Sequence, residues 1–383
     1  MLHRVSRRCL LRGAGVAVFA AASSAVPIPG LSSSASASSV AGLSGTANYG
    51  GGPLAGDNAL PSIQQRTMGS DGLQFLSSAV TLPSTDSALA HIRLFGDMHF
   101  GFTDPARLAA VANDLAALPP ADAFLSPGDE THFGLPAEYD TARAWLAQWR
   151  APFYTVTGNH TFWNAALHRQ ETSATQYSRF TQAWGQPMPY TWELGGVRFV
   201  GAGPIESGVT LTGASMSVSQ VNELASVLAA APQQPTVLVI HSPFRHTVLG
   251  DGGPANSVYT SDDYDFFQAH GERLLSVLAA APQVALVITG HTHSPLHANG
   301  LLAQVSVGTR IVPQFNAMAL PFVRRDTPKG SRYQQDLVTW DMAIGTTSIT
   351  LTGRDHLAQR DVARATIPQP ASIPSPWSVV QRY

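Results

Sequence analysis

The chemically capable residues of this chain recur at one kind of place. Asp97 and His99 follow the short apolar segment His91–Gly96, Asp129 follows Ala121–Ser126, and Asn159 with His160 follows Phe153–Thr157. His241, in His241-Ser242-Pro243, follows Thr236–Ile240, and His291 with His293 follows Val284–Thr289. Taken singly, each has an ordinary explanation: an Asp caps the next helix, an Asn closes a local turn, a buried His hydrogen-bonds within a core. Five such events in one register, all at strand exits where α/β sheets hold ligands, point to a shared purpose.

Asp97, His99, Asp129, Asn159, His241, His291 and His293 supply nitrogen and oxygen but no sulfur. That donor set suits borderline divalent ions such as Zn, Mn or Fe. Seven donors are too many for one such ion and fit two that share a bridge. Two ions about 3.5–4 Å apart stabilise both the attacking and the leaving oxygen of an in-line displacement at phosphorus. Thiolate ligands and disulfides are not expected, because the only cysteine, Cys9, lies in an N-terminal segment that reads as removed.

The elements that must position these groups alternate. Strands are expected over the apolar segments above, and helices over Pro105–Leu118, Pro136–Trp149, near Ala174–Trp184, Ser219–Ala230 and Asp263–Ala280. Gly195-Gly196 between Tyr190–Leu194 and Val197–Gly201 is a hairpin signal separating two wound halves. Leu301–Val307, Asp336–Trp340 and Thr347–Thr352 read as three closing strands. Gly290 is expected to let the backbone turn sharply where the buried run Val284–Thr289 stops. The fold class is α/β.

Around this domain, placed at 89–360, lie three other segments. Residues 1–37 read as an export signal: Ser6-Arg7-Arg8-Cys9-Leu10-Leu11-Arg12 resembles a twin-arginine motif, and no charge occurs from Gly13 to Gly56. The apolar part is too short and too rich in Ala and Gly for a membrane span. Residues 38–88 read as a linker and N-terminal extension, and 361–383 as a Pro/Ser-rich tail over the surface. A net charge of −2 with 13% charged residues gives no basic stripe, so nucleic acid is not expected as a bound partner.

The series Asp97-x-His99, Gly128-Asp129, Gly158-Asn159-His160, His241 and Gly290-His291-x-His293 resembles the calcineurin-like metallophosphoesterase superfamily over about residues 90–310. The resemblance implies a four-layer α/β/β/α sandwich with a dinuclear site at the strand C-terminal ends. It implies that Asp97, His99 and His293 hold one ion, that Asn159, His241 and His291 hold the other, and that Asp129 bridges them. His160 is implied to contact phosphate and protonate the leaving oxygen without ligating. The implied activity is hydrolysis of a phosphate mono- or diester by a hydroxide held between the ions. Thr161 stands where the family often has an acid, which leaves the orientation of His160 open. His132, three residues past Asp129, is open between a further ligand and a substrate-facing or solvated histidine. Phe100, Phe102, Phe133, Phe162 and Trp163 flank the motifs and either face a substrate or pack loops. The Phe244–Asp263 loop is a candidate lid. The alternative is a non-catalytic, metal-containing binding protein of the same fold outside the cytoplasm. A serine hydrolase lacks support, because no Gly-x-Ser-x-Gly occurs.

Overall fold

The computed structural model describes residues 74–75, 88–163, 171–206, 216–248, 261, 271–294, 296, 300–320, 324–327, 330–333 and 337–368. The export signal, nearly all of 38–88, most of the candidate lid and residues 369–383 lie outside the described residues.

In chain order, β1 (Gln74–Phe75) precedes β2 (Ala90–Leu94), α1 (Pro105–Ala116), β3 (Ala123–Ser126), α2 (Pro136–Leu146) and β4 (Phe153–Thr155). A short 3-10 helix (His160–Phe162) leads to α3 (Ser173–Trp184), the hairpin β5 (Tyr190–Leu194) and β6 (Val197–Gly201), and α4 (Val218–Ala229). Then come β7 (Thr236–Val239), α5 (Gly271–Ala279), β8 (Val284–Thr289), β9 (Leu302–Val307) and β10 (Arg310–Asn316). The pair β11 (Arg324–Thr327) and β12 (Gly330–Tyr333) is followed by β13 (Val338–Ile344), β14 (Ser348–Asp355) and β15 (Arg360–Pro368).

Apart from β11 and β12, which pair only with each other, these strands form two mixed sheets, ordered β1-β15-β14-β13-β2-β3-β4 and β5-β6-β7-β8-β10-β9. Within the first, β2, β3 and β4 run parallel; within the second, β6, β7, β8 and β10 do. Because successive side chains alternate between faces, Leu94 and Leu125 turn inward with Trp340 and Met342 against Phe199, Val239, Ile288 and Phe315 of the other sheet. Phe315 meets Trp340 edge-on across that core, ring centroids 4.7 Å apart. Phe124 packs outward with Phe95 against Leu108 and Val111 of α1 and Trp145 of α2. On the other outer face, Leu238 and Val287 pack with Leu224 and Leu228 of α4 and Leu274 and Leu278 of α5. The layers are therefore helix, sheet, sheet, helix.

Three expectations need correction. The chain does not leave the domain at Arg360: β15 pairs antiparallel with β14 along its length, burying Val362, Ala363, Ala365 and Ile367. The domain does not begin at residue 89, since β1, within the N-terminal extension, pairs with β15 at Gln74↔Arg364 and Phe75↔Ala363. A strand was also missed at β10. Its Pro313 argues against a strand inside a sheet, but pairing with β8 begins only at Gln314, so the missing N–H falls just before that ladder.

An ionic cluster ties α1 to the closing hairpin. Arg354 donates from Nε and Nη2 to both oxygens of Asp114, at 2.7 and 2.8 Å. His356 Nδ1 donates to Asp114 Oδ2 at 2.8 Å, and its Nε2 then accepts from Thr339 Oγ1–H at 2.7 Å. Burial pushes the Asp114 carboxyl up, but Arg354 and His356 outweigh it and hold it below its ordinary value. Burial holds the His356 imidazole below the usual histidine value. Both folded-state pKa values are depressed, so this stabilisation is present above the ordinary values and is lost as pH falls through the folded ones. Arg354→Ala is expected to cost about 2 kcal/mol at neutral pH, between the limits for exposed and buried pairs. Urea unfolding should show that difference shrinking in acid; a pH-independent difference would contradict the assignment.

Candidate metal centre

The C-terminal ends of β2, β3 and β4 in one sheet, and of β7 and β8 in the other, come to a common edge. There Asp97, His99, Asp129, Asn159, His160, His241 and His291 are all buried. Their backbone is strained: His99, Asp129, His291 and His293 have φ of 46°, 55°, 72° and 47°. Non-glycine residues in the left-handed region cost of order 1–3 kcal/mol each and persist where the surroundings over-determine them. The sharp turn expected of Gly290 thus falls on His291 and His293 instead. Gly290 serves close approach, because a Cβ there would lie 2.7 Å from Asp97 Oδ1. Gly158 does the same for Asp129 Oδ1, at 2.1 Å.

The side chains converge by their lone pairs. His241 Nδ1–H donates to Pro127 O at 2.8 Å, so in the neutral ring Nε2 presents a lone pair. Facing that Nε2 are Asn159 Oδ1 at 3.1 Å, His291 Nδ1 at 3.1 Å and Asp129 Oδ2 at 3.1 Å. Beside this set, His99 Nε2 lies 3.0 Å from His293 Nε2, which is 3.6 Å from Asp97 Oδ2. Asp129 Oδ2 is 3.9 Å from His99 Nε2 and so stands between the two sets. The backbone fixes the carboxylates from behind: His291 N–H donates to Asp97 Oδ2 at 2.8 Å and His160 N–H to Asp129 Oδ1 at 2.9 Å. Asp97 Oδ1 and Asp129 Oδ2, both buried, receive no hydrogen bond.

Buried acceptors aimed at one another are costly unless a cation sits among them. Without a cation, protons must substitute. Burial opposes protonation of His241, but the Asp129 and Asp97 carboxylates push it to about 9. Burial likewise pushes Asp97 up to about 7, with Asp129 repelling its charge. One proton on His241 Nε2 serves one of three facing acceptors, whereas a divalent ion serves all, and its binding would release protons. Burial lowers His99 and His160 below the ordinary histidine value, which keeps their rings neutral and able to ligate or accept. The donor set fits divalent ions.

Two compact triads of potential ligand atoms, each within 4.8 Å, occur among the described residues: Asp129–His241–His291 and His99–His132–His160. The first lies wholly within the expected set. The second brings in His132, whose Nδ1 lies 3.3 Å from His99 Nδ1 and whose carbonyl accepts from His160 Nδ1–H at 2.6 Å. His160 thus finds its orienting partner in a backbone oxygen, not in a carboxylate at 161. Thr161 is engaged elsewhere, its Oγ1 accepting from Gly158 N–H at 3.2 Å.

Asn316, at the exit of β10, escaped the sequence reading. Its Nδ2 donates to Gly290 O and to Thr289 Oγ1 at 3.0 Å, and its Oδ1 accepts from Thr292 Oγ1–H at 2.9 Å, bracing the loop that carries His291 and His293. The signal was there, a polar residue at a strand exit, but it depended on recognising β10.

A crystal structure of a dimetal phosphatase from Danio rerio is similar over 74% of this chain and 100% of its own, with 14% identity and a TM-score of 0.51, a likeness of fold. GAP50, the anchor in the inner membrane complex of Plasmodium, aligns over 74% of this chain and 90% of its own at 12% identity and TM-score 0.47. PhoD aligns over 72% and 67% at 12% identity and TM-score 0.45. No curated protein matches the sequence. The family described as calcineurin-like phosphoesterase matches residues 90–295, more than half of the chain. The chain belongs to the calcineurin-like phosphoesterases, with an α/β fold and buried His/Asp groups suited to metal.

Proposed function

We propose that the protein is an exported hydrolase of phosphate mono- or diesters that works with two divalent ions, Mn, Fe or Zn. In this reading Asp97, His99 and His293 would hold one ion, Asn159, His241 and His291 would hold the other, and Asp129 would be shared between them. The observation that carries it is the pair of buried carboxylate oxygens without a hydrogen bond, set among the imidazole nitrogens of His99, His241 and His293. When bound, ions at these seats supply Lewis acidity towards phosphoryl oxygens and lower the pKa of water.

The chain's own groups do the rest. Pro127 O fixes the His241 ring, and the His160 and His291 backbone N–H groups hold the two carboxylates from behind. His160, with Nδ1–H engaged by His132 O, offers Nε2 to the substrate; in its imidazolium form it donates the Nε2 proton to the departing oxygen and is left neutral. Purified mature protein should hydrolyse p-nitrophenyl phosphate or bis-p-nitrophenyl phosphate, lose that activity on chelation and regain it with Mn, Fe or Zn. Hydrolysis of neither ester by metal-loaded protein would sink the reading in favour of a binding protein.

Export rests on Arg7-Arg8 ahead of an uncharged run. Among the described residues no helix is long and apolar enough to cross a membrane. Changing Arg7 and Arg8 together to Lys is expected to leave folded, active protein in the cytoplasm, as fractionation would show; unchanged export would remove the twin-arginine route.

A further inference from the structure

Trp163 follows the 3-10 helix His160–Phe162 directly, and its ring lies 4.1 Å from the His160 ring at an interplanar angle of 6°. At that separation and angle the two rings can only be face to face. His132 lies 4.9 Å from His160 at 33° and stacks in turn on Phe102 at 4.6 Å and 16°. Phe102 is 56% exposed, so the rings run in a row from solvent inward to the proton donor. The His99 ring meets His160 edge-on at 4.3 Å and 86°.

A single hydrogen bond fixes a point and not a plane. The His99 edge and the tilted His132 ring limit the His160 ring without lying flat on it, so it would keep room to tilt about the Nδ1···O direction and carry Nε2 away from the reacting oxygen. A flat indole against one face removes that freedom. Proton transfer is demanding in this respect, since a misplacement of about 1 Å costs about 10²-fold.

We propose that Trp163 is a positioning residue for His160, its indole face fixing the plane in which Nε2 meets the departing oxygen. The inference rests on the reading of His160 as the proton donor. It gives one of the aromatic residues beside the metal motifs a specific task, and it explains how His160 is oriented with Thr161 in place of an acid.

The test uses the full, metal-loaded protein and esters whose leaving groups rise in pKa from p-nitrophenol to a simple alcohol. Trp163→Met keeps apolar bulk without a ring face; Trp163→Phe keeps a ring. Trp163→Met is expected to lose roughly 10–100-fold in kcat on alkyl esters, little on p-nitrophenyl esters, with KM nearly unchanged and both metals retained. Trp163→Phe should restore most of the loss. A loss equal across leaving groups, no loss at all, or failure of both variants to hold metal would overturn the proposal. His160→Ala in the same series separates the two ideas. If its loss grows with leaving-group pKa while that of Trp163→Met does not, only the role of Trp163 falls. If its own loss is flat, the proton-donor reading falls and the proposal with it.

Discussion

Asp129→Asn is expected to leave a folded protein that holds at most one ion and has lost activity by roughly 10²–10³-fold or more, the range for removing one preorganised electrostatic group. Asp129 Oδ2 faces His241 Nε2 at 3.1 Å and His99 Nε2 at 3.9 Å, so it is the atom that both ligand sets would share. An amide removes the negative charge that balances two cations, and with Oδ1 engaged by His160 N–H its NH₂ would point at the ions. A terminal ligand is different. His293 lies at the rim, with its side chain 15% exposed, and His293→Ala should weaken one ion and spare the other. The fold should survive either change, because the core between the sheets lies behind the strand ends. Mass spectrometry of the intact protein and melting curves read both effects. An Asp129→Asn protein with two ions and wild-type rates would remove the bridging role.

His160→Ala is the second large effect, and it depends on the substrate. General acid assistance contributes about 10²–10⁴-fold, and more when the leaving oxygen is a poor one. The variant should keep both ions, lose modestly on p-nitrophenyl esters and lose far more on alkyl phosphate esters. Burial holds the His160 imidazole below its ordinary value, so its protonated fraction grows as pH falls. Wild-type rates on alkyl esters should therefore rise towards acid until the metal ligands protonate, and His160→Ala should flatten that limb. A leaving-group-independent loss would mean that His160 only positions phosphate; loss of metal would make it a ligand.

Most of the candidate site was legible because the placement of its residues follows from one rule. Parallel strands deliver whatever residue ends them to one edge, so Asp97, Asp129, Asn159, His241 and His291 could be aligned by reading strand exits alone. The hairpin β5–β6 was equally plain, since Gly195-Gly196 admits the positive φ values of 57° and 78° that the turn requires. What stayed hidden was set by pairing. β15 is rich in short Ala side chains and runs into a Pro-rich stretch, so its burial arises from the neighbouring β14 more than from its own pattern. β10 was masked by Pro313, and Asn316 with it. The environment of His132 was beyond local reading, because its contacts to His99 and His160 span 33 and 28 residues. Likewise no spacing rule tells that left-handed backbone falls on His291 and His293 and not on Gly290.

The most direct test of the account is the metal content of the purified mature protein, measured together with Asp129→Asn and with phosphoesterase activity. Two divalent ions per chain are expected, with chelation abolishing hydrolysis and readdition restoring it, and at most one ion in the variant. A wild-type protein that binds no divalent ion at neutral pH, or that hydrolyses phosphate esters equally well after complete chelation, would contradict it.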